Sequence, residues 1–141
     1  MLTTLPVGTR FVQILRVEDF RIESGTEARP GARGAVEIAS VVRVWLTGQP
    51  TTPHATVTHA FLEARSDWQE PALPRYDFQR KRIVIAYTIP AIHAVVSMLL
   101  DGVQLYCQYR ELEGGAVHAD VHLPRRAPGS AHEDPHWVPS D

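Results

Sequence analysis

Apolar and polar residues alternate with period two along most of the chain, and the few places where that alternation slips or changes period mark the predicted elements. From Thr9 to Glu23 the apolar residues sit first at odd positions (Phe11, Leu15, Val17) and then at even ones (Phe20, Ile22). Side chains of a strand point to alternate faces, so the change of phase at Glu18-Asp19 predicts a bulge or sharp bend. Residues 24–34 contain Gly25, Pro30, Gly31 and Gly34 and read as a loop. Residues 35–47 predict the clearest strand, with Val36, Ile38, Val42, Val44 and Leu46 on one face and Glu37, Arg43 and Trp45 on the other. After a turn at 48–53, residues 55–63 predict a further strand carrying Val57, His59 and Phe61 on one side, either a core strand or a hairpin extension. Pro71 and Pro74 make 65–78 an irregular connection or an extended hairpin.

The strand Arg80 to Thr88 begins with the basic run Arg80-Lys81-Arg82. Pro90 then suits a first helical position, where its missing N–H would have no partner anyway. Ile92, Val95, Val96 and Leu99 follow at the spacing of a helix that buries one stripe, and Gly102 is its expected stop. From Val103 the period returns to two. A three-residue loop, Glu113-Gly114-Gly115, pairs Leu112 with Ala116, and hence Arg110 with His118, Gln108 with Asp120 and Tyr106 with His122. That register turns Leu105, Cys107 and Tyr109 inward and Tyr106, Arg110, His118 and His122 toward one polar face.

These elements predict a single mostly β domain over residues 1–123 with one short helix, built as a small antiparallel barrel, and a Pro-rich, disordered tail over 124–141. A hydrophobic fraction of 44% supports a folded core. A net charge of −2 excludes a surface that is basic throughout but leaves room for a local cationic stripe. The single cysteine, Cys107, excludes an intrachain disulfide and fits a reducing compartment. With no signal-peptide pattern and no long apolar run, the expected location is cytoplasmic, without membrane association.

Candidate chemistry is sparse. No phosphate loop, dinucleotide fingerprint, nucleophile elbow or Cys-x-x-Cys pair is present, so no cofactor is expected. His118, Asp120 and His122 share one strand face and are the metal candidates, yet i and i+4 on a strand lie about 13 Å apart at about 3.3 Å per residue. Both histidines cannot ligate one ion at that separation. His132 and His136 flank Glu133 and Asp134 in the tail, and His59 and His93 stand alone on a strand and the helix, where a structural role is the ordinary one. The remaining set is aromatic and basic: Arg43 with Trp45, Arg80, Lys81 and Arg82, and Tyr106 with Arg110. Cationic grooves with aromatic platforms hold single strands of nucleic acid, and the same residue types are enriched in subunit interfaces.

The order strand, glycine-containing loop, strand, connection, strand, helix, glycine and hairpin resembles the OB-fold, and within it bacterial single-stranded DNA-binding proteins. The segments that carry the resemblance are Gly34 to Ser40, Arg82 to Tyr87, and Ile92 to Gly102 running into Val103 to Tyr109. It implies a non-catalytic, oligomeric protein that binds single-stranded DNA. The C-terminal Glu133 to Asp141 resembles the acidic tail through which that family recruits protein partners. The alternatives are a partner-binding or assembly protein of phage, plasmid or secretion-system type, and a metal-dependent enzyme using His118, Asp120 and His122.

Overall fold

The computed structural model describes residues 8–124, so the expected tail beyond Pro124, with His132 and His136, lies outside the described residues. Seven strands and one helix follow in the order β1 (Thr9–Pro30), β2 (Val36–Pro50), β3 (His59–Arg65), β4 (Arg75–Asp77), β5 (Arg82–Tyr87), α1 (Ile89–Leu100), β6 (Tyr106–Leu112) and β7 (Val117–His122). They form one sheet ordered β4-β5-β3-β2-β1-β6-β7. The sheet curls into a nearly closed barrel: the Tyr76 ring on edge strand β4 comes within 6.3 Å of Tyr109 on β6, with Phe11 of β1 beside both.

The expected all-antiparallel barrel is corrected to a mixed one, because β3 and β5 run parallel. The connection through Trp68, Pro71 and Pro74 carries the chain past the future position of β5 to the outer edge, where β4 forms. A tight turn then reverses it. Asp77 Oδ1 accepts hydrogen bonds from the Gln79 and Arg80 amides, and Lys81 takes a positive φ of 54°, so β5 returns antiparallel to β4 and enters beside β3. His59–Arg65 is therefore a central strand, not an extension. Its inward residues are Ala60, Leu62 and Ala64 rather than the His59–Phe61 side, and the two alanines leave room for α1 to pack against β3.

The predicted loop at 24–34 is also corrected. β1 runs on to Pro30, and a short 3₁₀ turn at Ala32–Gly34, with Arg33 at φ 59° and Gly34 at φ 75°, joins it to β2. The two strands stay paired from Leu15 opposite Pro50 to Pro30 opposite Val36, with the predicted irregularity between Val17 and Asp19. β6 flanks β1 only as far as Arg16, and β3 flanks β2 only up to Val41. Past Gly25 and Val41 the hairpin is thus a two-stranded arm among the described residues. Val36 and Ile38, expected on the buried face, lie on this arm and are each 67% exposed.

The core lies between the concave sheet and α1, which contributes Ile92, Val95 and Leu99. Each fully buried aliphatic side chain of this kind contributes about 1.5–3 kcal/mol. Thr88 caps the helix, its hydroxyl accepting from the Ala91 amide, so Pro90 falls at the second helical position rather than the first. Gly102, at φ 73°, ends it. The predicted register of the final hairpin holds residue for residue. Its polar face, however, is not a wet one: Tyr106, Gln108 and Arg110 are 6%, 1% and 2% exposed, and Tyr106 clusters with Ile14 and Val12.

Candidate nucleic-acid interface

The outward residues of β1, β2, β3 and β5 follow from the inward ones. Ile22, Val44, Leu46, Leu62 and Ile83 pack into the core, so Arg21, Trp45, Phe61 and Arg82 alternate to the outside. Cross-strand register sets Arg21, Trp45 and Phe61 side by side, and Arg82, which pairs with His59, extends the row by reaching diagonally to Phe61. The Trp45 and Phe61 rings lie 5.4 Å apart at 44°, the Arg21 guanidinium sits 4.1 Å from the Trp45 ring centre, and that of Arg82 sits 5.5 Å from Phe61. Guanidinium groups are held at such positions by the negative face of the ring. Beside the row, Trp45, His59, Arg80 and Arg82 line a shallow depression of about 220 Å³.

On one side of this row the surface is rich in cations. Lys81 is exposed on the β4–β5 turn, and Arg80 and Arg82 share a single carboxylate, Asp77, at 3.0 and 4.0 Å. Hydrogen bonds from the Arg80 amide and guanidinium hold the Asp77 carboxyl below its usual range. On the other side the charges are internally matched. Arg43 donates to Glu63 at 2.7 Å, Glu27 at 2.9 Å and Glu23 at 3.4 Å, while Arg65 donates to Glu27 at 2.8 Å and Asp67 at 3.0 Å. Bonds to Glu27 and Glu63 push the Arg43 guanidinium further up. With its donors committed to three carboxylates, Arg43 is a poor phosphate ligand.

The seven residues singled out for nucleic acid thus separate. Trp45, Arg80, Lys81 and Arg82 come together on one outer surface, and Arg43 borders it in the ion-paired lattice. Tyr106 and Arg110 lie elsewhere, buried on β6, and the expectation that they are exposed is corrected. Arg21 and Phe61 were not among the expected site residues. Phe61 stands at an outward position opposite Trp45, but that adjacency comes from the pairing of β2 with β3, which no local pattern encodes.

His118 and His122 meet at a shared side chain. The Asp120 carboxylate bridges them, with Oδ2 3.0 Å from His118 Nε2 and Oδ1 2.7 Å from His122 Nδ1. Burial alone would raise the Asp120 carboxyl, but the bonds to His122 and His118 outweigh it and leave the group below its usual range. Among the described residues no cluster of His, Cys, Asp or Glu has the geometry to hold a metal ion. Cys107 is fully buried, and burial pushes its thiol far up, away from nucleophilic use.

No protein-family model matches the chain, and no significant match was found among curated proteins or solved structures.

Proposed function

We propose that the protein binds single-stranded nucleic acid, without catalysis, across the Arg21–Trp45–Phe61–Arg82 row. The observation that supports this reading is the row itself, two aromatic rings between two guanidinium groups with Arg80 and Lys81 alongside. Aromatic rings stack on bases of any identity, and the neighbouring cations meet the phosphates; such stacking contributes about 1–3 kcal/mol per base. The likeness to the OB-fold is kept only in the placement of the helix between a barrel strand and the last hairpin. The test is a fluorescence titration with an oligothymidine at low ionic strength. Affinity is expected to fall steeply with salt, since phosphate contacts release counterions. Trp45→Ala and the double substitution Arg80→Ala/Lys81→Ala should each weaken it about tenfold or more, within the range of one stacked base, whereas Arg43→Gln should leave it unchanged. Absence of salt-sensitive binding by the unmodified chain would overturn the proposal.

A second reading, a partner-binding or assembly protein, is favoured by a different observation: the exposed apolar face of the arm at Val36 and Ile38.

A further inference from the structure

The arm carries an unmatched surface. Its outer face is covered by its own ion pairs, Arg29 with Glu37 and Asp67, and Arg65 with Glu27. Its inner face, by register, carries Thr26 opposite Ser40 near the base and, toward the tip, Ala28 and Pro30 of β1 beside Ile38 and Val36 of β2, an apolar patch of four side chains. Two-stranded ribbons are marginal in water and need a face to pack on. At the tip, Arg33 has no carboxylate partner among the described residues, and its positive φ marks the point of the turn.

A second feature, at the far end of the same hairpin, is complementary. Where α1 ends, Val17, Phe20, Leu99, Val103 and Leu105 form the apolar wall of an open depression of about 370 Å³, which Glu18 and Gln104 line on its polar side. Phe20, Val103 and the adjoining Leu100 are 38%, 47% and 68% exposed. Two carboxylates border this groove: Glu18, paired with Arg16, on one side, and Asp101 at the C-cap of α1, next to the lining residue Gly102, on the other. A helix C-terminus carries partial negative charge and is stabilised by cations, yet the last turn of α1 holds no basic residue and ends on a carboxylate. Arg16 already pairs with Glu18 at 3.5 Å, so it is the Asp101 end of the depression that lacks a cation among the described residues, and its exposed apolar wall lacks a cover. The arm tip offers both.

The two cannot meet within one molecule. Phe20 and Pro30 lie on the same face of the same continuously paired strand, so groove and tip are roughly 34 Å apart at about 3.4 Å per residue. We propose that the tip of the β1–β2 arm docks into the groove beside the C-terminus of α1 in a second copy of this chain. Val36 and Ile38 cover the apolar wall, and Arg33 approaches Asp101 and the terminal carbonyl groups of the helix. The contact is heterologous, since two different patches meet.

The test is light scattering after size-exclusion chromatography of the full chain over a range of concentrations. The unmodified chain is expected to exceed the monomer mass. Ile38→Asp on the arm and Val103→Arg in the groove should each return it to monomer; both side chains are already exposed, and far-ultraviolet circular dichroism verifies that both variants fold. Mixing the two variants is the decisive step, because the first keeps its groove and the second its arm, so an equimolar mixture should form a one-to-one complex. A monomeric unmodified chain, either variant associating as the unmodified chain does, or a mixture that stays monomeric would each overturn the proposal. Oligonucleotide binding is read separately, on the opposite face of the sheet.

Discussion

Gln13 is a polar residue in a strand that pairs on both sides, and it is 3% exposed. Its Oε1 accepts hydrogen bonds from the amides of Thr56 at 2.9 Å and Val57 at 3.0 Å, and so fastens the chain just before β3 to the inside of β1. Gln13→Leu removes both acceptances while keeping the volume. A buried donor left unsatisfied costs about 1–3 kcal/mol, so for the two amides the expected loss is about 2–6 kcal/mol, read as a lower urea midpoint at unchanged slope. The residue scale was also where sequence reading was most uneven. Cys107 was legible as buried because its neighbours two positions away are apolar. Gln13, Tyr106 and Arg110 were not. Alternation tells which residues share a face, and it is silent on whether that face meets water or a second layer. Arg43 was correctly read as facing outward, but its three carboxylates come from β1 and β3, and only the sheet order brings them together.

At the scale of elements, the irregularity in β1 explains a glycine in β2. Val17 pairs with Gly48 and Asp19 with Thr47, so one residue of β1 has no opposite number and its backbone is pressed toward β2. A Cβ at position 48 would collide with the Arg16 carbonyl oxygen, a main-chain atom that cannot swing aside. Gly48→Ala is therefore expected to destabilise by about 1–3 kcal/mol, the range for overpacking a site with no room. Gly25→Ala, where a Cβ meets open space, serves as the control and should change stability far less. Equal effects of the two substitutions in thermal melts would show that the close approach does not exist. The bulge, the helix and the final hairpin were legible because each is set by local signals, namely a phase change, a 3.6 period and paired glycines. The arm was not. Gly25, Pro30, Gly31 and Gly34 read as a loop, yet a free hairpin edge tolerates glycine and proline where a central strand would not.

For the whole molecule, the order of strands was the feature least accessible from the chain alone. β4 is three residues long and sits in the Pro-rich stretch, but its position outside β5 reverses the direction of β5 relative to β3 and makes the sheet mixed. That order also gathers carboxylates against cations from distant segments, and acid stability depends on them. Glu27 and Asp67 are held below their usual range by bonds to Arg43 and Arg65, Asp77 by Arg80, Glu111 by Tyr109 and Arg10, and Asp120, against its burial, by His122 and His118. In the unfolded chain these groups titrate near about 3.9 for Asp and about 4.3 for Glu. A carboxyl whose folded value is depressed releases its proton more readily in the native state, so its stabilisation is complete above the unfolded value and is lost as pH falls through the folded one. The urea midpoint should accordingly change little from these groups between about pH 7 and pH 5 and drop progressively below about pH 4. Added salt should blunt the part of that drop due to the exposed arm pairs, which the solvent already screens, more than the part due to the half-buried Asp120 on β7. Removing Asp120 by Asp120→Asn would then shrink the residual acid sensitivity in high salt, and a midpoint that rises on acidification would show that these ion pairs do not hold the sheet together.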